Sequence, residues 1–205
     1  MTTRHTSILL ALLIAPAAFA GFAYIAGLPP LAEESLQAGS TSSRTSRAFQ
    51  LISHQGQTVS NETLTGKPYL AFFGFTNCPD ICPTTLFELT ELMAELGPEA
   101  DKFNVLLISV DPKRDTQEML ATYMSAFDSR ILALRGTPEQ TEAVLRAFGA
   151  RAQKVPTGGG NYTMEHTAGV FLVDARGGRA GVLDMHEPRD IRLEKIRNLV
   201  LKFGK

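Results

Sequence analysis

Tyr69-Leu70-Ala71-Phe72-Phe73-Gly74-Phe75-Thr76-Asn77-Cys78-Pro79-Asp80-Ile81-Cys82-Pro83 joins a continuous apolar, aromatic-rich run to a cysteine-bearing turn. Seven apolar positions without a polar interruption are the pattern of a strand covered on both faces, which places Tyr69 to Phe75 inside a sheet. Leu86, Phe87, Leu89, Leu92, Met93 and Leu96 follow at helical spacing with Glu88, Glu91 and Glu95 opposite, and Gly97-Pro98 ends the pattern. The two cysteines, the only ones in the chain, therefore lie where a buried strand turns into a helix. That junction is where open α/β sheets place their ligands.

Working outward, strand-like and helix-like segments alternate. Val105 to Val110 reads as a second buried strand, followed by Asp111-Pro112 and a helical pattern with Met119, Leu120, Tyr123, Met124 and Phe127. Ile131 to Leu134 and a Pro138 to Phe148 helix repeat the unit. Upstream, Phe49 to Ile52 and Gln57 to Val59 flank a turn at His54-Gln55-Gly56. Downstream, a Gly-rich loop over Thr157 to Tyr162 leads to His166, then Val170 to Val173 and Gly181 to Leu183 form a hairpin and a helix closes the chain from about Asp190. This order predicts an α/β three-layer sandwich with a mixed central sheet.

Residues 8–28 carry no formal charge and, if helical, span a bilayer's hydrocarbon of about 30 Å. Ala18-Phe19-Ala20 fits a signal-cleavage site, but the apolar stretch runs on to Leu28, so residues 1–31 read as a retained anchor or uncleaved signal. Arg4 before it and Glu33 and Glu34 after it export everything downstream. Residues 32–47 are rich in Ser and Thr and read as a flexible linker, with one folded domain over 48–205. A net charge of −1 with no basic stripe argues against a nucleic-acid partner.

Cysteines four positions apart can grip one metal ion or form a disulfide. Pro83 suits a first helical turn, placing Cys82 at the helix start, while Thr85 with Glu88 offers a capping box that would start it later. Either start aims the helix N-terminus at the thiols and favours thiolate. A structural disulfide is the bland reading, though closing so short a loop removes little chain entropy. Two thiolates and an imidazole would suit Cu(I); zinc fits the same donors with a water. Of four histidines, His5 precedes the apolar segment and His54 and His186 sit in polar, solvated contexts. His166 lies between the Gly-rich loop and an apolar strand, and its position leaves a structural role and a ligand role both open. Gly158-Gly159-Gly160 lacks the Lys-Ser/Thr ending of a phosphate loop.

Three blocks resemble the signatures of the Sco/SenC family: Phe73 to Pro83 with its CPxxCP core, Ile108-Ser109-Val110-Asp111-Pro112-Lys113-Arg114-Asp115-Thr116, and Glu165-His166-Thr167-Ala168. The resemblance covers about Phe49 to Phe203 and the anchor. It implies a thioredoxin-like domain preceded by one N-terminal transmembrane helix, with copper held by Cys78, Cys82 and His166. The implied function is a membrane-tethered copper chaperone for the CuA centre of cytochrome c oxidase. The alternative is a thiol-disulfide reductase that keeps the CuA cysteines reduced, with Cys78 attacking and Cys82 resolving. Implied partners are the oxidase subunit carrying CuA, other copper chaperones and the membrane; the implied location is the inner membrane, single-pass, with the domain in the periplasm. An enzymatic role is not the expectation beyond possible thiol-disulfide chemistry, and the Phe75-Thr76-Asn77-Cys78 likeness to a peroxiredoxin loop carries little weight. Asn77 stands where the family often has His, and Glu165-His166-Thr167 where it often has Asp-His-Ser. Asp111 is expected to position the loop or to cap the next helix. Met164 and Met185 are soft donors that read as core filler.

Overall fold

The structure, a computed structural model, describes residues 49–203. The N-terminal apolar segment and the linker lie outside them; among the described residues no helix is long and apolar enough to cross a membrane.

Among the described residues, nine strands and four α-helices follow in chain order: β1 Gln50–Ser53, β2 Thr58–Ser60, β3 Tyr69–Gly74, α1 Ile81–Leu96, β4 Asn104–Ser109, α2 Gln117–Met124, β5 Ile131–Arg135, α3 Pro138–Phe148, β6 Ala152–Gly158, β7 Asn161–His166, β8 Val170–Val173, β9 Arg179–Leu183 and α4 Arg189–Phe203. A 3-10 turn, Gly97–Lys102, follows α1. Seven strands form one mixed sheet in the order β2-β1-β5-β4-β3-β8-β9. β3, β4 and β5 are parallel, with helical crossovers from β3 to β4 and from β4 to β5, and the pairs β1–β2, β1–β5, β3–β8 and β8–β9 are antiparallel.

β3 is buried at all six positions because its two faces meet different helices. Phe73 packs edge-on against Phe148 of α3 with centroids 5.5 Å apart. One residue on, facing the other way, a Cβ built on Gly74 would lie 3.0 Å from the Cys82 sulfur of α1. Helix, sheet and helix thus stack as three layers. α1 buries Leu86, Leu89, Leu92, Met93 and Leu96, each contributing roughly 1.5–3 kcal/mol. Its acidic face meets α4: Arg189 pairs with Glu91 at 2.9 Å and Glu95 at 2.8 Å, and Arg192 with Glu88. The exposed Arg189 pairs align the helices more than they stabilise them, whereas Arg192 is buried.

Three local expectations are corrected. α1 begins after Asp80, with Cys82 in its first turn, and Thr85 caps nothing: it is buried, and Glu88 is spent on Arg192. His54 is not left to solvent, since its Nδ1 accepts the Ala133 N–H at 3.1 Å where β1 meets β5. The Gly-rich loop is the tip of a β6–β7 hairpin, a separate two-stranded sheet.

Candidate metal centre

Cys78 lies in the turn after β3 and is partly exposed, whereas Cys82 is fully buried on the sheet side of α1. Gly74 leaves room for that sulfur, because a Cβ there would lie only 3.0 Å from it. His166 ends β7. On a strand, alternate residues share a face, so Tyr162, Met164 and His166 point together toward the domain while Glu165 is exposed.

The hairpin brings the imidazole to the sulfurs. The Cys78 and Cys82 sulfurs and a His166 ring nitrogen lie within 4.8 Å of one another, and Nε2 of His166 is 3.6 Å from the Cys82 sulfur. The other ring nitrogen, Nδ1, lies 3.1 Å from the Thr167 carbonyl. A carbonyl can only accept, so Nδ1 carries the proton and the Nε2 lone pair faces the sulfurs. Phe72 and Phe75 close edge-on around the ring, with centroids 6.2 and 5.9 Å from it.

Burial lowers the affinity of His166 for a second proton, against the opposing pull of its Thr167 bond. Burial also pushes the Cys82 thiol well above its ordinary range, a backbone contact from Phe75 opposing it. Without a metal, burial favours a neutral imidazole and a protonated Cys82 thiol. Metal bonds of about 2.0–2.3 Å to sulfur and nitrogen place the donors of a trigonal ion roughly 3.5–4 Å apart, so a soft ion needs only a small contraction of this group. Cys78 and His166 open onto a cleft of about 420 Å³ that Phe75, Pro79 and Met164 also line, with Cys82 buried behind them.

The acidic residues of the Asp111–Asp115 turn were only partly foreseen. Asp111 is not the cap of α2, which is Thr116, whose hydroxyl accepts from Met119 N–H at 3.2 Å. Asp111 instead pairs with Arg114 and accepts the Tyr162 hydroxyl at 2.9 Å. Asp115, which belongs to the second signature block but has no role assigned from sequence, is fully buried and accepts the Thr76 hydroxyl at 2.7 Å, the Thr76 N–H at 3.2 Å and the Ser109 hydroxyl at 2.6 Å. A carboxylate six residues past the strand's last position was the available signal. Met164 lines the cleft and Met185 packs against the core's edge, while His186 is exposed and outside the donor group.

Known proteins share this fold. A copper-bound structure of ScoI from Bradyrhizobium japonicum superposes with a TM-score of 0.70 at 39% identity, covering 74% of this chain and 97% of that one. The structure of BsSco, described as a member of the Sco family of cytochrome c oxidase assembly proteins with a disulfide switch, superposes at 0.61 and 25% identity, over 75% of this chain and 92% of that one. A SCO2-like protein of Rickettsia felis is 34% identical over 131 residues, 63% of this chain; the chain spans 64% of that relative's length. The SCO1/SenC family model matches residues 37–201, taking in the mixed sheet, the cysteine turn and the His166 hairpin, and the chain belongs to the SCO1/SenC family.

Proposed function

We propose that the chain binds copper through Cys78, Cys82 and His166 and delivers it to the CuA centre of cytochrome c oxidase. One observation carries this reading: two sulfurs and an imidazole nitrogen, 84 and 88 positions apart in the chain, meet within 4.8 Å beside an open cleft. Two thiolates and one neutral imidazole are a soft, low-coordinate donor set suited to Cu(I). Binding displaces the thiol protons, and the cleft lets an incoming thiolate replace the donors one at a time, so copper moves by ligand exchange. Copper is the cargo here, and a site that keeps one side open suits handing it on.

Delivery to an exported centre requires the domain to be held outside the cytoplasm. The uncharged segment over 8–28 supports a single-pass anchor in the inner membrane, residues 32–47 a tether, and the flanking charges a periplasmic domain. Copper would be supplied by other copper chaperones.

A second reading is favoured by the unequal exposure of the thiols. Cys78 reaches the cleft and Cys82 is buried behind it. As a thiol-disulfide reductase, Cys78 thiolate would attack a target disulfide and release one target thiolate. Cys82 would then attack Cys78 in the mixed disulfide and release the second, leaving a Cys78–Cys82 disulfide and a reduced target.

Deletion of the chain, with oxidase activity assayed with and without added copper, separates the two. Delivery predicts lost activity restored by copper. Activity that copper leaves unrestored supports thiol reduction instead.

A further inference from the structure

We propose that Arg114, acting with Asp111 and Tyr162, is a positioning residue that latches the His166 hairpin against the cysteine turn. The inference rests on the copper-site reading above. β6 and β7 bond to each other and to no strand of the main sheet, so something else must hold His166 in place. Among the described residues, and apart from the bond of His166 to its neighbour Thr167, three side-chain hydrogen bonds join these two strands to the rest of the fold. One is the Cys82–His166 contact itself; the others are Arg114 Nη1 donating to the Tyr162 carbonyl at 2.9 Å and the Tyr162 hydroxyl donating to Asp111 at 2.9 Å.

Arg114 makes this connection with a fixed fork. Its Nε donates to Asp111, Nη1 reaches the Tyr162 backbone, and the guanidinium carbon sits 3.8 Å from the Tyr162 ring centroid and 5.8 Å from that of Phe75, which lines the copper cleft. Nη2 is buried without a partner, a desolvation cost that stability alone gives no reason to keep. A lysine could not make both bonds and stack as well.

The same turn grips the other half of the site. The Asp111 carbonyl accepts the N–H groups of Arg114 at 3.1 Å and Asp115 at 2.9 Å, and Asp115 holds Thr76, two residues before Cys78. Arg135 of β5 pins the turn from beneath, donating to the carbonyls of Asp115 at 2.8 Å and Pro112 at 3.2 Å. One rigid turn therefore sets the spacing between the cysteine segment, through Asp115, and the histidine segment, through Arg114. Tyr162 and His166 share a face of β7 about 13 Å apart along the strand, so releasing the first lets the second swing from the sulfurs.

The test compares the full chain with Arg114→Lys, Tyr162→Phe, His166→Ala and the Arg114→Lys/His166→Ala double variant, each loaded with Cu(I). The readouts are the copper dissociation rate, the nitrogen contribution to copper X-ray absorption, and thermal unfolding. The latch predicts that Arg114→Lys releases copper about 10-fold faster and loses nitrogen signal, and that the double variant is no faster than His166→Ala alone. Tyr162→Phe, which removes one hydroxyl, shifts both copper readouts the same way to a smaller degree and serves if Arg114→Lys does not fold. Wild-type dissociation and nitrogen signal in Arg114→Lys, or in Tyr162→Phe where that variant stands in, would overturn the latch. So would additive effects in the double variant. Equal dissociation from wild type and His166→Ala would instead remove the ligand assignment beneath it.

Discussion

The Cys82 sulfur lies 3.6 Å from Nε2 of His166, with Nδ1 of the same ring committed to the Thr167 carbonyl. This pairing, made between the first turn of a core helix and the end of a hairpin outside the main sheet, orients the imidazole before any metal arrives.

Gly74 makes room for that sulfur. A Cβ there would approach the Cys82 sulfur, Leu107 and Phe72 at 3.0 Å each, so Gly74→Ala is expected to destabilise the domain by about 1–3 kcal/mol and to weaken copper binding. Denaturant unfolding and copper titration check this; a variant unchanged in both would show that the neighbours give way freely.

Asp115 ties the cysteine turn to β4 through Thr76 and Ser109. Asp115→Ala leaves buried hydroxyl and N–H groups unpaired and should cost about 2–4 kcal/mol, with faster amide exchange through Thr76 to Cys78. Exchange unchanged in that segment would count against the tie.

Oxidation of the two thiols to a Cys78–Cys82 disulfide removes both thiolates. The oxidised chain is expected to take up no copper, and reduction to restore uptake. Copper bound equally by the oxidised chain would point to donors other than the sulfurs.

The hydrogen bonds from Arg130, against some burial, hold the Asp128 carboxyl below the usual carboxylate range. Its ionised form is favoured in the folded chain, so this stabilisation is complete above the unfolded value of about 3.9 and is lost as pH falls through the lower folded value. Because Arg130 is partly exposed, Asp128→Asn should cost less than about 1 kcal/mol at neutral pH, and its stability should converge with wild type in acid. A difference that persists or grows in acid would refute the linkage.

The sheet and helices were legible because their burial is written in runs and periods: β3 is buried at every position, and α1 repeats Leu at helical spacing over an acidic face. The β6–β7 hairpin was not. Ala152 to Gly158 reads Ala-Gln-Lys-Val-Pro-Thr-Gly, a mostly exposed strand whose only partner is β7, so it carries no hydrophobic alternation to distinguish it from loop. The start of α1 was ambiguous because the Thr85–Glu88 pair mimics a cap while both residues serve tertiary contacts. The cysteines' spacing and isolation pointed to a metal or redox site without deciding between them, and which histidine lies beside them depended on a hairpin that periodicity could not show. His54 shows the converse: a polar neighbourhood in sequence became a sheet-edge hydrogen bond in the fold.

The most direct measurement is an anaerobic Cu(I) competition titration of the reduced full chain against Cys78→Ser, Cys82→Ser and His166→Ala. One equivalent bound by the wild type, with affinity reduced about 10-fold or more in each variant, is the result that shared coordination by two sulfurs and one imidazole predicts. Unchanged affinity in all three variants would contradict it.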